Sequence, residues 1–546
     1  MKNPFSNNPF AIKEDTGTTV PKQIYGWRIY LVAISAAWTT TDTPQASAMY
    51  GYDSAFIGGT LELPSFKAAY GLTDEALSTS LDSNIVSTFQ AGAFFGAIGG
   101  FFIAESFGRK MVILVSGLIF CVGVVLQMLG ILGALYGGRV LTGLGVGGSS
   151  MIIPIYISEC APAAIRGRLV GMFEIMLQIA LVFGFWVNYG VQQNISGDTD
   201  TQWRIPVGIQ FVPAGFLLLS MPWVPESPRW LVSKGRSEKA LTCLAWIRNL
   251  PQDDDYVLSE LADFQTAVNH EIESAGGKRN IVGIFRELGQ PGVRNRAALA
   301  AAMMLFQNLT GINAINYYSP TILESLGYSG TSVNLLATGV YGIVKMITTL
   351  IFMLFCVDRL GRRPALLVGA LGAGVAMFYL AGYSKLSGSF TSDSVPRDAG
   401  ANAALAMIYV YAVFYGFSWN GIPYIFSSEV MPTRVRTASM MLSVCTQWLS
   451  QFIVVYSLPY MVANITYGTF LFFGACTVLA FVFAYLFVPE TKGVALEDMD
   501  LMFGEDAPLL AHNARKRYET AHEAGITAVG LERAEDKQER AFVEEV

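Results

Sequence analysis

Charge is scarce in this chain. Only 14% of its 546 residues are Asp, Glu, Lys or Arg, against about 25% in an ordinary soluble domain. With 52% hydrophobic residues and a mean hydropathy of +0.43, that shortage excludes a conventional soluble globule. Histidine is scarcer still. His270, His512 and His522 are the three, and all fall outside the apolar runs, so any proton moved inside such a run needs a carboxylate. The six cysteines, Cys121, Cys160, Cys243, Cys356, Cys445 and Cys476, stand singly without C-x-x-C or metal-ligand spacing. This argues against a disulfide frame and a metal centre. Lys and Arg form no stripe, which argues against a nucleic-acid partner. Met1 to Tyr25 lacks the apolar stretch of a cleaved signal peptide. There is no P-loop and no nucleophile–base pair, so neither ATP-driven transport nor enzymatic catalysis is expected, and no cofactor is called for.

What the chain has in quantity is long apolar runs, many of roughly 18 to 25 residues, enough to cross a hydrocarbon core about 30 Å thick as helices. The sequence predicts an all-α membrane protein of twelve spans, near 27–59, 82–104, 110–129, 134–157, 169–190, 204–222, 297–325, 333–356, 365–384, 403–427, 437–462 and 467–488. They divide the chain into an N-terminus (1–26), a six-helix bundle (27–222), a polar linker with short helices (223–296), a second six-helix bundle (297–488) and a mobile tail in which one helix is expected (489–546). Basic residues fall on alternate loops: Arg109-Lys110, Arg166 with Arg168, the linker, Arg359 with Arg362-Arg363, and Arg434 with Arg436. Positive loops face the cytoplasm, which places both termini and the linker inside. The sequons at Asn194 and Asn464 then fall on outer loops, while that at Asn308 lies within a span.

Two motifs repeat across the halves, the signature of duplicated bundles. Ser158-Glu159-Cys160-Ala161-Pro162-Ala163-Ala164-Ile165-Arg166 returns as Ser428-Glu429-Val430-Met431-Pro432-Thr433-Arg434-Val435-Arg436. Glu105-Ser106-Phe107-Gly108-Arg109-Lys110 is answered by Asp358-Arg359-Leu360-Gly361-Arg362-Arg363. An acid at a helix end followed by Gly-Arg can pair with helices of the same half. Glu105, Arg109, Glu159, Arg166, Asp358, Arg362, Glu429 and Arg436 are therefore expected to form a cytoplasmic latch. Exposed pairs contribute only about 0–1 kcal/mol each, which suits a contact broken in every cycle.

On these repeats, with Gly51-Tyr52-Asp53, Pro225-Glu226-Ser227-Pro228-Arg229-Trp230-Leu231, Gly311-Ile312-Asn313 and Pro489-Glu490-Thr491-Lys492-Gly493, the chain resembles the sugar porter family of the major facilitator superfamily. The resemblance runs from about Trp27 to Gly493 and lies nearest the fungal hexose and quinate permeases. It implies the major facilitator fold, two six-helix halves that rock about a central site. It also implies transport of a monosaccharide across the plasma membrane, with a proton as second substrate. The alternatives on the same scaffold are a quinate permease and a facilitator without proton coupling. A glucose sensor would need a longer tail.

A polyol site needs amides and hydroxyls around a midplane cavity with aromatic faces nearby. Span seven offers Gln307, Asn308 and Asn313, with Asn316 beyond. Span ten offers Trp419, Asn420 and Tyr424, and span eleven Gln447 and Trp448. Gln307 and Asn313 lie six residues apart, so a regular helix would turn them to different sides. Thr310-Gly311 between them favours local unwinding that lets both reach one cavity. The resemblance assigns Gln307, Asn308, Asn313 and Gln447 to sugar-binding positions and sets Tyr424 where many members carry Trp. The plain structural alternative is that these amides only join neighbouring helices. Two departures stand out: Asn308 replaces the second Gln of the family's usual pair, and Glu174, one turn before Gln178, occupies a Gln position. A carboxylate inside a membrane is costly and usually functional. Here it would bind hydroxyls, carry a proton, or serve as half of a structural ion pair.

The resemblance also places Asp53 near Arg139. Arg⁺ favours the ionised Asp, and moving it away reverses that preference, so the pair is expected to take and release the proton. In a facilitator it would be static. Lys345, in span eight, would suit an anionic polyol if it faces the cavity. Otherwise it pairs with an acid or directs its charge away. Span one also contains Thr39-Thr40-Thr41-Asp42-Thr43-Pro44-Gln45, where relatives are shorter. An Asp at a helix centre costs about 2.5–3.5 kcal/mol, so this block is either a bulge beside water or a gene-model artefact.

Overall fold

A backbone surrounded by lipid must satisfy its hydrogen bonds within each segment, so long apolar runs resolve into helices. The computed structural model describes residues 46–71, 75–162, 166–274, 281–328, 330–389, 398–432, 435–492, 494, 499–503 and 510–523. The block from Thr39 to Gln45 and the start of span one lie outside these residues. Eleven described helices are long and apolar enough to cross a membrane, and Ala46–Leu61 packs beside them as a further one. We label the bundle α1 (Ala46–Leu61), α2 (Glu75–Phe107), α3 (Arg109–Gln127), α4 (Leu132–Cys160), α5 (Arg166–Asn194), α6 (Thr201–Trp223), α7 (Val293–Ser325), α8 (Thr331–Cys356), α9 (Arg362–Ser387), α10 (Ala399–Gly416), α11 (Arg436–Ile465) and α12 (Gly468–Phe487). No strand occurs among the described residues. Apart from end residues, these helices coincide with the expected spans two to nine, eleven and twelve, while span ten is split after Gly416 and only the last part of span one is described, an all-α build of two six-helix halves.

With lipid on the outside there is little hydrophobic drive between helices, so close backbone approach carries the packing. On α2, Gly92 and Gly96 face α4, where Gly143 and Gly147 return the contact. A Cβ on Gly147 would lie 2.0 Å from the Ala93 carbonyl oxygen, and one on Gly96 would lie 2.2 Å from that of Leu144. Gly147→Val forces these helices apart. The expected result is loss of the monodisperse species on size exclusion in detergent, since no side-chain rearrangement relieves a backbone clash.

The halves meet where α2 packs on α11, α5 on α8, and α1 on the C-terminal part of α7. At one end of that last contact, Gly58 touches backbone: a Cβ there would lie 2.3 Å from the Tyr317 carbonyl oxygen. Nearby, Thr321 donates to Glu62 (3.0 Å) and Ser83 to the Tyr456 carbonyl (2.7 Å).

The opposite end carries the repeated charged motifs, and the repeat is mirrored contact by contact. Arg109 forks onto Glu159 at 3.0 and 2.9 Å, and Arg362 reaches Glu429 at 3.0 Å. Glu226 accepts the backbone N–H groups of Arg109 (3.1 Å) and Lys110 (3.2 Å), capping α3. Glu490 accepts those of Arg362 and Arg363, both at 3.0 Å, capping α9. Ser227 donates to Glu159 at 2.5 Å and Thr491 to Glu429 at 3.1 Å. Carboxylates at helix N-termini satisfy orphan donors and complement the dipole. Burial pushes the Glu226 carboxyl above its usual range, and these backbone donors pull against it. Glu105 lies 4.0 Å from Arg109, and Arg436 donates to the Met431 carbonyl at 3.3 Å. The side chains of Arg166 and Asp358 lie outside the described residues.

Between the halves, the polar stretch forms Pro228–Ser233, Ser237–Arg248, Asp255–Ser274 and Ile281–Leu288, with a small core of its own around Trp230, Leu244 and Val257. Arg248 fastens it to the bundle. Its guanidinium holds Glu260 (2.8 Å) and donates to the Cys160 carbonyl at the end of α4 (2.8 Å).

Candidate functional site

Two interrupted helices make the site. Helix α7 breaks at Thr310-Gly311, where Gly311 takes φ +92°, a left-handed conformation that favours glycine. Thr310 turns its hydroxyl back to the Gln307 carbonyl (2.7 Å) and Tyr411 donates to Thr310 (3.2 Å), which holds the break. Helix α10 stops at Gly416 and resumes as Ile422–Glu429. The carbonyls freed there at Trp419 and Asn420 both accept from Gln307 Nε2, each at 2.9 Å. Broken backbone at membrane depth is tolerated where it lines a cavity, and a cavity lies between α1, α5, α7, α8, α10 and α11.

Its walls bring together Glu174, Gln178, Gln307, Asn308, Asn313, Asn420, Tyr424 and Gln447. Asn308 is spent on structure: it donates to Met304, Gln447 and Ser450 and accepts from Asn313 at 2.6 Å. Tyr424 donates to Gln447 (2.5 Å), whose amide donates to Tyr50 (3.3 Å). Acceptor oxygens remain unpaired on Gln178 and Gln307. Buried polar atoms are normally bonded, so two wall amides hold acceptor capacity suited to substrate hydroxyls.

Trp419 and Trp448 are not on the wall. Trp419 is fully buried behind it and donates to the Leu366 carbonyl at 3.1 Å. Trp448 sits between the halves against Tyr50 and Phe89 and donates to Ser150 at 3.4 Å. A large indole with one N–H is better satisfied in a helix interface that supplies an acceptor. Sequence reasoning missed Tyr50, Ser54, Tyr415 and Gln451, which do line the cavity. Tyr50 and Ser54 sit one helical turn apart on α1, a spacing that could have signalled a shared face.

Two charges share the cavity, Glu174 on α5 and Lys345 on α8, exposed 5% and 2%. Glu174 Oε1 accepts from Gln178 and Asn420, each at 2.8 Å. Lys345 lies over the Tyr415 ring, Nζ 5.5 Å from its centroid, a cation–π contact. Its ammonium has no hydrogen bond to any described residue and no direct ion pair with Glu174.

Asp53 and Arg139 form a separate, wholly buried pair within the first half. Arg139 Nη1 reaches both Asp53 oxygens at 2.8 and 2.9 Å, while Nε donates to the Ile85 carbonyl at 3.1 Å. Nη2 has no partner, and the guanidinium lies 4.8 Å from the Phe89 centroid. The next residue along α1, Ser54, is on the cavity wall, so the pair sits directly behind the site.

A family model described as "Sugar (and other) transporter" matches residues 43–503. A probable quinate permease of Neosartorya fischeri is 42% identical over 510 residues, 91% of each chain. A quinate permease of Neurospora africana is 41% identical over 517 residues, 93% of each. Among solved structures, the proton:xylose symporter XylE bound to 6-bromo-6-deoxy-D-glucose aligns with TM-score 0.72 and 26% identity, covering 87% of this chain and 98% of that one. A partially occluded inward-open form of XylE from E. coli aligns with TM-score 0.69 and 25% identity, covering 86% and 100%.

Proposed function

This chain belongs to the sugar and other transporter family of the major facilitator superfamily, and from that premise we propose that it moves a polyol acid of the quinate type across the plasma membrane with a proton. The observation that carries the reading is Lys345: a buried ammonium on the cavity wall with no hydrogen-bond partner among the described residues. Glu174 balances this charge without bonding to it, so the ammonium lacks an acceptor, and a substrate carboxylate supplies one. The unpaired acceptors of Gln178 and Gln307 take the ring hydroxyls. The permease names of its relatives agree with that chemistry. The Asp53–Arg139 pair supplies the proton site. The cytoplasmic latch consists of the mirrored Arg109–Glu159 and Arg362–Glu429 contacts.

One observation favours the monosaccharide expected from the sequence. Glu174 offsets Lys345, leaving a neutral wall rich in amides. Uptake separates the two readings. Cells lacking their own carriers are offered labelled quinate, glucose and xylose at acidic and near-neutral pH, with and without a protonophore. The reading requires quinate uptake that the protonophore collapses, and glucose uptake without quinate uptake would overturn it.

Orientation has its own test. Asn194 and Asn464 are exposed, whereas Asn308 is 2% exposed within α7. With both termini inside, endoglycosidase treatment is expected to increase the mobility of the wild-type protein on a gel. The double variant Asn194→Gln/Asn464→Gln should show no such shift.

A further inference from the structure

The cavity holds two ionisable charges of opposite sign, and the anion just proposed would make a third. Among its described wall residues only Glu174 and Lys345 carry charge. The groups facing Glu174 from each packed element are Tyr50 on α1, Lys345 on α8, Tyr415, Asn420 and Tyr424 on or beyond α10, and Gln178 on its own helix. The tyrosines are neutral near pH 7, so the empty cavity is balanced. A substrate carboxylate on Lys345 leaves two carboxylates to one ammonium around one cavity lined by buried side chains. Like charges sharing such a site are not both retained, and one of them takes up a proton.

The hydrogen bonds indicate which one. Glu174 Oε1 is occupied by the amides of Gln178 and Asn420, each at 2.8 Å, while Oε2 has no hydrogen bond to a described residue. Glu174 therefore has a position for the proton and, once protonated, an O–H to donate toward substrate hydroxyls or the unpaired Gln178 Oε1. The incoming carboxylate, by contrast, finds an ammonium.

We propose that Glu174 binds a proton when an anionic substrate docks on Lys345, so that the cavity takes up proton and anion together at a site distinct from Asp53. The proposal rests on the polyol-acid reading. Asp53 is bound to Arg139 and is not a wall residue, so the two proton sites are separable by mutation. The bond formed is O–H on Glu174 Oε2, the proton comes from solvent, and it leaves with the substrate on the other side.

The test counts protons. Purified Asp53→Asn protein in weakly buffered detergent solution is titrated with quinate while an indicator dye follows pH and calorimetry follows binding. It is expected to take up about one proton per quinate bound. Asp53→Asn/Glu174→Gln should bind quinate with no uptake and with affinity independent of pH, because Gln mimics the protonated acid. Wild-type protein counted in the same way needs no variant and should take up at least as much as Asp53→Asn. Quinate binding without proton uptake in wild type, or uptake that survives in Asp53→Asn/Glu174→Gln, would overturn the proposal alone. Absence of quinate binding to wild type would overturn the polyol-acid reading and this proposal with it.

Discussion

Asp53→Asn is expected to cut uphill accumulation to the share carried by the proton on Glu174, while sparing exchange and downhill flux. In proteoliposomes with the membrane potential held at zero, one pH unit drives about tenfold accumulation per coupled proton, and the variant's accumulation ratio should fall from about a hundred to about ten. Arg139 Nη1 serves both Asp53 oxygens within 2.9 Å, and both side chains are shut from solvent. The guanidinium in contact favours the ionised carboxylate. When rocking of the halves draws it away, burial favours the protonated acid. Asn retains the shape and one acceptor but cannot carry a proton, so binding and rocking persist without the proton that Asp53 carries. A variant that accumulates substrate as far as wild type would reduce the pair to a structural clamp.

Lys345→Met should remove quinate uptake. Truncating one partner of a buried, hydrogen-bonded charge pair costs about 2–5 kcal/mol, a loss of roughly 30- to several-thousand-fold in affinity at 1.4 kcal/mol per decade. Met fills a similar volume, so packing around Tyr415 is kept. Initial rates over a range of quinate concentrations should show a raised KM, with normal amounts of protein at the membrane. If Lys345 served only to balance Glu174, the double variant Lys345→Met/Glu174→Gln would restore uptake, and the substrate-binding role would fail.

Much of this was legible in the sequence because membranes impose length and periodic signals. The spans, the Thr310-Gly311 break in α7 and the mirrored Arg109 and Arg362 contacts follow from apolar runs, a glycine and a repeat. One repeat was legible yet unread: Pro225-Glu226-Ser227 and Pro489-Glu490-Thr491 occupy equivalent places, and the structure gives Glu226 and Glu490 the same capping task. Finer placement was not legible, because polarity does not say which face of a buried helix meets the cavity. Trp419 and Trp448 read as substrate-stacking rings, yet each N–H has an acceptor in a helix interface. Asn308 and Asn313 look equivalent on paper, yet one is tied to three neighbours while the other donates to it. Lys345 was ambiguous until the cavity placed it beside Tyr415 and across from Glu174.

The central claim is that Lys345 reads a carboxylate. Its most direct test compares binding of quinate and of its uncharged carboxamide to wild type and to Lys345→Met by calorimetry. A hydrogen bond to a charged group contributes about 1.5–3 kcal/mol, so wild type should prefer quinate by roughly ten- to a hundredfold, and the variant should bind both ligands equally. A wild-type protein indifferent to the carboxylate, or a preference that survives Lys345→Met, would contradict it.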